Sequence, residues 1–261
     1  EYMFVAEGKG GFRVYDVASI GNKGFSERIV RAPFSPMGHD THVKTKNATC
    51  MALATTQPIS VSRNEAIVKN FPENHEQVMH DIYRYAVITD SVEGLILVDI
   101  DTLADGEFRN NKLKRALTWN EGNILAGARH ITLAGSVAYV TTDAGLVVLD
   151  LTTPLAPKVT AQLPLTDARA SAVQFRYLWV TDAEGVKLFD VTDLAQPVAV
   201  PSGTVRLANA RKLYLARTYM YVAAKADGLV IVDVTRPAAP IVWPGLTFGG
   251  ALTDAEDVIV A

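Results

Sequence analysis

Four of the five histidines fall in two short stretches: "GHDTH", which holds His39 and His42, and "NHEQVMH", which holds His75 and His80. With Asp40 and Glu76 beside them they form a candidate metal set, because imidazole and carboxylate suit zinc or iron. The spacing matches no established metal motif. A second set is cationic. "ARHI", "ARAS" and "ARKL" place Arg129, Arg169 and Arg211 at equivalent positions, followed by His130, Ala170 and Lys212. "AEDV" and "DTHV" align with them, adding Glu256 and Thr41, then Asp257 and His42. Arg129, Arg169, Arg211, His42, His130 and Lys212 are therefore candidate binding residues for an anion or a carboxylate-bearing side chain. The opposing reading is structural: Asp90, Asp143, Asp182 and Asp227 close neighbouring runs at the same end, and Arg–Asp pairs there would simply join strands. No catalytic residue is assigned. There is no GxSxG, HExxH, P-loop or dinucleotide fingerprint. "GKGG" at residues 8–11 is a hairpin turn with no helix after it, and "NAT" at residues 47–49 is formally a glycosylation acceptor.

These residues are carried by a repeat. "GFRVYD", "GLILVD", "GLVVLD", "GVKLFD" and "GLVIVD" begin at Gly11, Gly94, Gly145, Gly185 and Gly228, and each ends on an aspartate: Asp16, Asp99, Asp150, Asp190 and Asp233. Successive glycines stand 83, 51, 40 and 43 residues apart. An aromatic, β-branched run precedes each glycine, so each unit reads as a hairpin. A third strand lies upstream, as in "ARHITLAG", and a fourth lies downstream after a Pro-marked turn, as in "PKVTAQLP". Four antiparallel strands every 40 to 45 residues are the pattern of a β-propeller blade. The glycine admits the positive φ of a tight turn, and the aspartate accepts backbone N–H bonds in the turn that follows. Tyr139, Trp179, Tyr219 and Tyr221 are expected in the core between blades.

The expected fold is all-β: a single β-propeller domain over residues 1–261, with about five four-stranded blades. Six blades are the alternative, because the first interval is nearly two repeats long. "HVKTKNATCMALATT", from His42, reads as the innermost strand of the second blade, interrupted by a long insertion at about residues 55–82. That segment has little alternation and several turn formers, so it reads as a loop. His39 and His42 precede this inner strand and His75 and His80 the next one, so the two pairs stand at opposite faces unless the loop folds back. "AEDVIV" at residues 255–260 matches the innermost strands, and pairing it with "YMFVA" at residues 2–6 would close the ring.

Composition narrows the classes. Hydrophobic residues make up 49% and charged residues 20% of the 261, with a net charge of −3, so the chain reads as globular, with no basic field for nucleic acid. One cysteine, Cys50, excludes an internal disulfide framework and a CxxCH haem attachment. No run of apolar residues is long enough to span a membrane as a helix. The chain starts at Glu1 without a charged-then-apolar leader, the form of a mature product or an excised domain.

"GLVIVDVTRP" and its kin resemble the LVIVD repeat of bacterial and archaeal surface proteins, over nearly the whole chain except the insertion. Tyr15 in "FRVYD" departs from the pattern. The resemblance implies a β-propeller that is exported, at the cell surface or in the periplasm. It supplies no catalytic residue, and in some larger relatives such repeats accompany multihaem cytochrome modules. The expected function is therefore a non-enzymatic binding or scaffold domain, with a protein partner, a cytochrome module or a glycan. No cofactor is expected beyond a metal ion at the histidines. The alternative is a metal-assisted hydrolase or lyase that uses the histidine-rich insertion and the cationic mouth.

Overall fold

The computed structural model describes residues 2–17, 40–56, 59–71, 73, 75–107 and 110–260. The chain divides into two compact units, Glu1–Ala128 with Leu151–Pro157, and Arg129–Asp150 with Lys158–Ala261.

In the first unit, β1 (Tyr2–Ala6), β2 (Phe12–Asp16) and β3 (His42–Val43) form an antiparallel sheet in that order. β4 (Ala48–Leu53), β5 (Tyr85–Asp90), β6 (Gly94–Asp99) and β7 (Lys114–Trp119) form a four-stranded meander. Helix α1 (Val61–Asn70) lies between β4 and β5. It starts where Ser60 Oγ accepts the Arg63 amide at 3.2 Å, a side-chain N-cap. The segment expected as a loop therefore contains a helix. Val61 is its one buried residue, so the apolar periodicity that reveals amphipathic helices is missing.

The second unit repeats the blade three times. β8 (His130–Ala134), β9 (Val137–Thr142), β10 (Gly145–Asp150) and β11 (Lys158–Pro164) form the first sheet. β12 (Ala170–Gln174), β13 (Tyr177–Thr181), β14 (Gly185–Asp190) and β15 (Val198–Ala199) form the second, with β16 (Val205–Arg206) also paired to β14. β17 (Leu213–Ala216), β18 (Tyr219–Ala223), β19 (Leu229–Asp233) and β20 (Ile241–Val242) form the third.

The near-continuous apolar runs follow from burial on both sheet faces. Leu178 and Val180 of β13 pack in one cluster with Tyr139, Leu146 and Val148. Trp179, between them in sequence, packs in another with Met220, Val222 and Val230. One strand thus serves two blade interfaces by alternation. Tyr139 and Trp179 are core residues, at 0% and 2% exposure. Tyr219 and Tyr221 are only half-buried, contrary to expectation, because they alternate with the buried Met220 and Val222. Tyr219 instead meets Trp243 edge-on at 6.5 Å.

The repeated glycine has a stronger reason than turn geometry. A Cβ on Gly185, at φ +144°, would stand 2.0 Å from Val205 O, and one on Gly145, at φ +127°, would stand 2.2 Å from Leu163 O. The outermost strand crosses so closely that only a hydrogen fits. The repeated aspartates act as expected: Asp99, Asp190 and Asp233 accept the amides of Asp101, Thr192 and Thr235 at 3.0, 2.8 and 2.8 Å.

Two expectations are corrected. The innermost strand of the second sheet begins at Ala48 rather than at His42. The His42–Val43 pair is the outer strand of the first sheet, with His42 opposite Arg13. The inner strand expected at residues 255–260 is not formed. Among the described residues the first sheet has three strands, and β1 pairs with β2. Ala255 forms a bridge with Lys225, and residues 256–260 form no strand. Charge holds the segment there: Lys225 pairs with Asp254 at 2.8 Å and with Glu256, and Lys212 pairs with Asp257 at 2.6 Å.

Candidate functional site

Arg129, Arg169 and Arg211 each stand just before an inner strand of the second unit, directly after a fully buried alanine: Ala128, Ala168 or Ala210. Their backbone amides bond to the adjacent strand, at Thr141 O, Thr181 O and Ala223 O, over 2.9, 2.8 and 2.7 Å. The shared "AR" thus fixes each arginine at the same register, pointing along the same end of its blade.

The guanidinium groups then reach onto the next blade. Arg129 Nη1 donates to Thr142 O on its own sheet and to Ala168 O, both at 3.2 Å. Arg169 Nη1 donates to Ala210 O at 2.6 Å and to Ala208 O at 3.3 Å. Arg129 and Arg169 therefore form a relay in which each satisfies the carbonyl of the following motif's alanine. Thr49 occupies the corresponding position in the first unit, where its hydroxyl donates to Ala128 O at 2.8 Å. Thr41, the residue aligned with the arginines by sequence, does not. The signal for Thr49 was present as "AT" at the start of β4, with Ala48 as buried as the other alanines. It is masked because threonine stands where arginine recurs.

Arg129, Asp167, Arg169, Ala170, Arg211, Lys212, Glu256 and Asp257 line a pocket of about 390 Å³. It is charge-balanced rather than cationic. Arg129 pairs with Asp143 at 2.5 Å, Arg169 with Asp167 at 2.7 Å, Arg211 with Glu256 at 3.8 Å and Lys212 with Asp257 at 2.6 Å. Of the four aspartates expected as partners, Asp143 takes that role. Asp182 and Asp90 instead accept the amides of their own turns, and Asp227 accepts from Asn209. Arg211 differs from its two counterparts. Its Nε makes no hydrogen bond among the described residues, which leaves it the least committed guanidinium of the pocket.

His130 faces the same region, partly buried, and its Nδ1 accepts the Ser171 amide at 3.3 Å. Burial, reinforced by nearby Lys212 and opposed by Asp257, lowers its pKa to about 4, so it is neutral near pH 7. It acts as a hydrogen-bond acceptor between blades, beside Thr132 Oγ1, which donates to Ser171 O at 2.8 Å.

Among the described residues the metal candidates are not brought together. His39 lies outside the described residues. Asp40 Oδ1 accepts the His42 amide at 3.2 Å, and His42 Nε2 donates to Gly10 O at 2.7 Å. His80 Nδ1 accepts the Ile82 amide at 3.0 Å, capping a short 3-10 turn, and His75 sits in irregular chain at φ 45°. Among the described residues no three His, Cys, Asp or Glu side chains are grouped so as to hold a metal ion.

Comparison with known proteins agrees with this architecture. The family model of the LVIVD repeat matches residues 127–160 and 209–243. No curated protein is matched. Among solved structures, the chain is similar to the extracellular domain of the hybrid two-component system BT3049 from B. thetaiotaomicron. The TM-score is 0.57 at 13% identity, over 98% of this chain and 28% of that one. It spans little more than a quarter of that structure's length. A hypothetical selenium-binding protein from Sulfolobus tokodaii overlaps 92% of this chain and 72% of its own at 8% identity, with a TM-score of 0.42. The fold is all-β, of the β-propeller class. No helix among the described residues is long and apolar enough to cross a membrane.

Proposed function

We propose that this chain is a non-enzymatic binding domain of an exported or cell-surface prokaryotic protein, a propeller that docks another protein or another domain of a larger assembly. The observation that carries this reading is the use of the repeated arginines. Arg129 and Arg169 hold blade to blade through backbone carbonyls, and every cation of the pocket is matched by a carboxylate. A frame whose charged groups satisfy one another has no activated acid, base or nucleophile there. It does offer a mixed-charge rim, the kind of surface that steers and selects a protein partner. Arg211 and Lys212 are the contacts of choice, because neither is engaged in the carbonyl relay. A cytochrome module or a glycan is the finer version of the same reading, and an extracellular setting agrees with the domain of BT3049 that shares the fold.

Site-specific photo-crosslinking in the native host tests it. A crosslinker at Lys212 is expected to trap one discrete partner, and a crosslinker at Lys158 is not. Purified partner should bind the parent chain and lose at least ten-fold in affinity to Arg211→Glu. No adduct from position 212, or the same adducts from both positions, overturns the reading.

A further inference from the structure

Among the described residues the repeat is broken once between an innermost strand and the strand that follows it, and the break coincides with an apolar cavity. In the second unit these strands are joined by tight turns at residues 135–136, 175–176 and 217–218. In the first unit the turn after β4 is replaced by the long excursion that carries α1 and returns at Tyr83. Where the chain departs at Leu53, Ala54, Thr55 and Thr56 and where it returns at Tyr83, it encloses a cavity of about 440 Å³.

The chemistry of the walls defines an occupant. Tyr2 and Phe4 of β1 form one side, and Tyr85, Ile100 and Leu103 form another. Among the described residues no lining side chain carries a charge. The polar side chains among them are the two threonines and the tyrosines, of which Tyr2 Oη accepts from Asn111 Nδ2 at 3.1 Å. Such walls give water too few hydrogen-bond partners, so an apolar guest displaces it favourably. Concave sites of this size, mostly aromatic and aliphatic with a few polar groups, are the usual form of a small-molecule site. A charged ligand would lose its hydration without a counter-charge.

We propose that this cavity is a binding site for a neutral, largely apolar small molecule, aromatic in its body and carrying at most a few hydroxyl or carbonyl groups toward Thr55 and Thr56. The site shares no lining residue with the arginine pocket. Insertions into a repeat collect on one face and commonly supply its binding surface. Here the excursion replaces a turn with a wall.

The probe is N-phenylnaphthylamine, which is uncharged and fluoresces on entering an apolar site, titrated into the full chain. One saturable site per chain is expected. Ala54→Trp, which fills the cavity, and Thr55→Trp, which obstructs its polar edge, should each weaken binding at least ten-fold. Trp243→Ser should leave binding unchanged, because it alters the exposed apolar edge of the last sheet instead. The sulfonated analogue of the probe should bind at least ten-fold more weakly than the neutral one. Non-saturable binding, full binding to both tryptophan variants, loss of binding in Trp243→Ser, or equal affinity for the sulfonated probe overturns the proposal.

Discussion

The second unit and the second sheet of the first unit are built on the same repeat and treat their polar and apolar groups in opposite ways. In the second unit the repeat runs without interruption. Its glycines admit the crossing outer strand, its aspartates cap their turns, and Arg129 and Arg169 satisfy the next motif's alanine carbonyl. In the second sheet of the first unit the turn is lost, threonine replaces arginine, and aromatic and aliphatic side chains line a cavity. Regularity is how a repeat satisfies its own groups. The departure from regularity is where surface becomes available to something else.

The sharpest way to break this contrast is to disturb the crossing. Gly185→Ala should cost at least about 3 kcal/mol in urea unfolding, because strain at the left-handed backbone adds to the collision with Val205 O. Gly122→Ala is the control: its φ is +59° but nothing lies within 4 Å of the added carbon, so about 1 kcal/mol is expected. Equal losses would show that turn strain alone explains the glycine.

Next in size is the acid dependence at His130. Its folded pKa of about 4 lies below the ordinary value of 6.5, so the stability it contributes is present above about pH 6.5 and is lost as pH falls toward 4. Melts across that window should show a loss on the order of 2 kcal/mol that His130→Gln removes. An unchanged acid limb in the variant would place the loss at other groups.

The arginine relay should be graded. Arg169→Met should destabilise by about 1–3 kcal/mol by orphaning the carbonyl of the buried Ala210, Arg129→Met by less, and Arg211→Met by under about 0.5 kcal/mol. If all three fall together, the carbonyl relay is not what the arginines supply.

The smallest effect belongs to Tyr139→Phe, about 1 kcal/mol for the bond from its hydroxyl to Leu194 O at 2.8 Å. Burial raises this phenol to about 12, with Asp193 adding to it. Its contribution is complete below about pH 10 and is lost as pH rises toward 12. The parent should lose that much more stability than the variant over this alkaline window.

Much of the fold was legible because it is local. The Gly–Asp spacing located the strand of each repeat that was paired on both sides, and the alternation around Trp179 follows from burial on both faces. What was illegible was set by longer-range competition. "AEDVIV" carries the pattern of an inner strand, but Lys212 and Lys225 draw its carboxylates into ion pairs. The start of β4 was misplaced at His42 because "DTHV" preserves the histidine, whereas "ATCM" preserves the buried alanine and the hydrogen bond. The arginines were legible as a set but not as a relay, since their acceptors are main-chain carbonyls that any residue provides. The cavity could be located only as an interruption; its walls come from five separate stretches of sequence.

The central claim is that frame and site are separable, and one titration tests it directly. Neutral probe is added to Arg169→Met and to Ala54→Trp, at a temperature well below both melting points. The account predicts parental affinity in Arg169→Met despite its lower stability, and at least ten-fold weaker binding in Ala54→Trp. Parental affinity in Ala54→Trp together with loss of binding in Arg169→Met would contradict it.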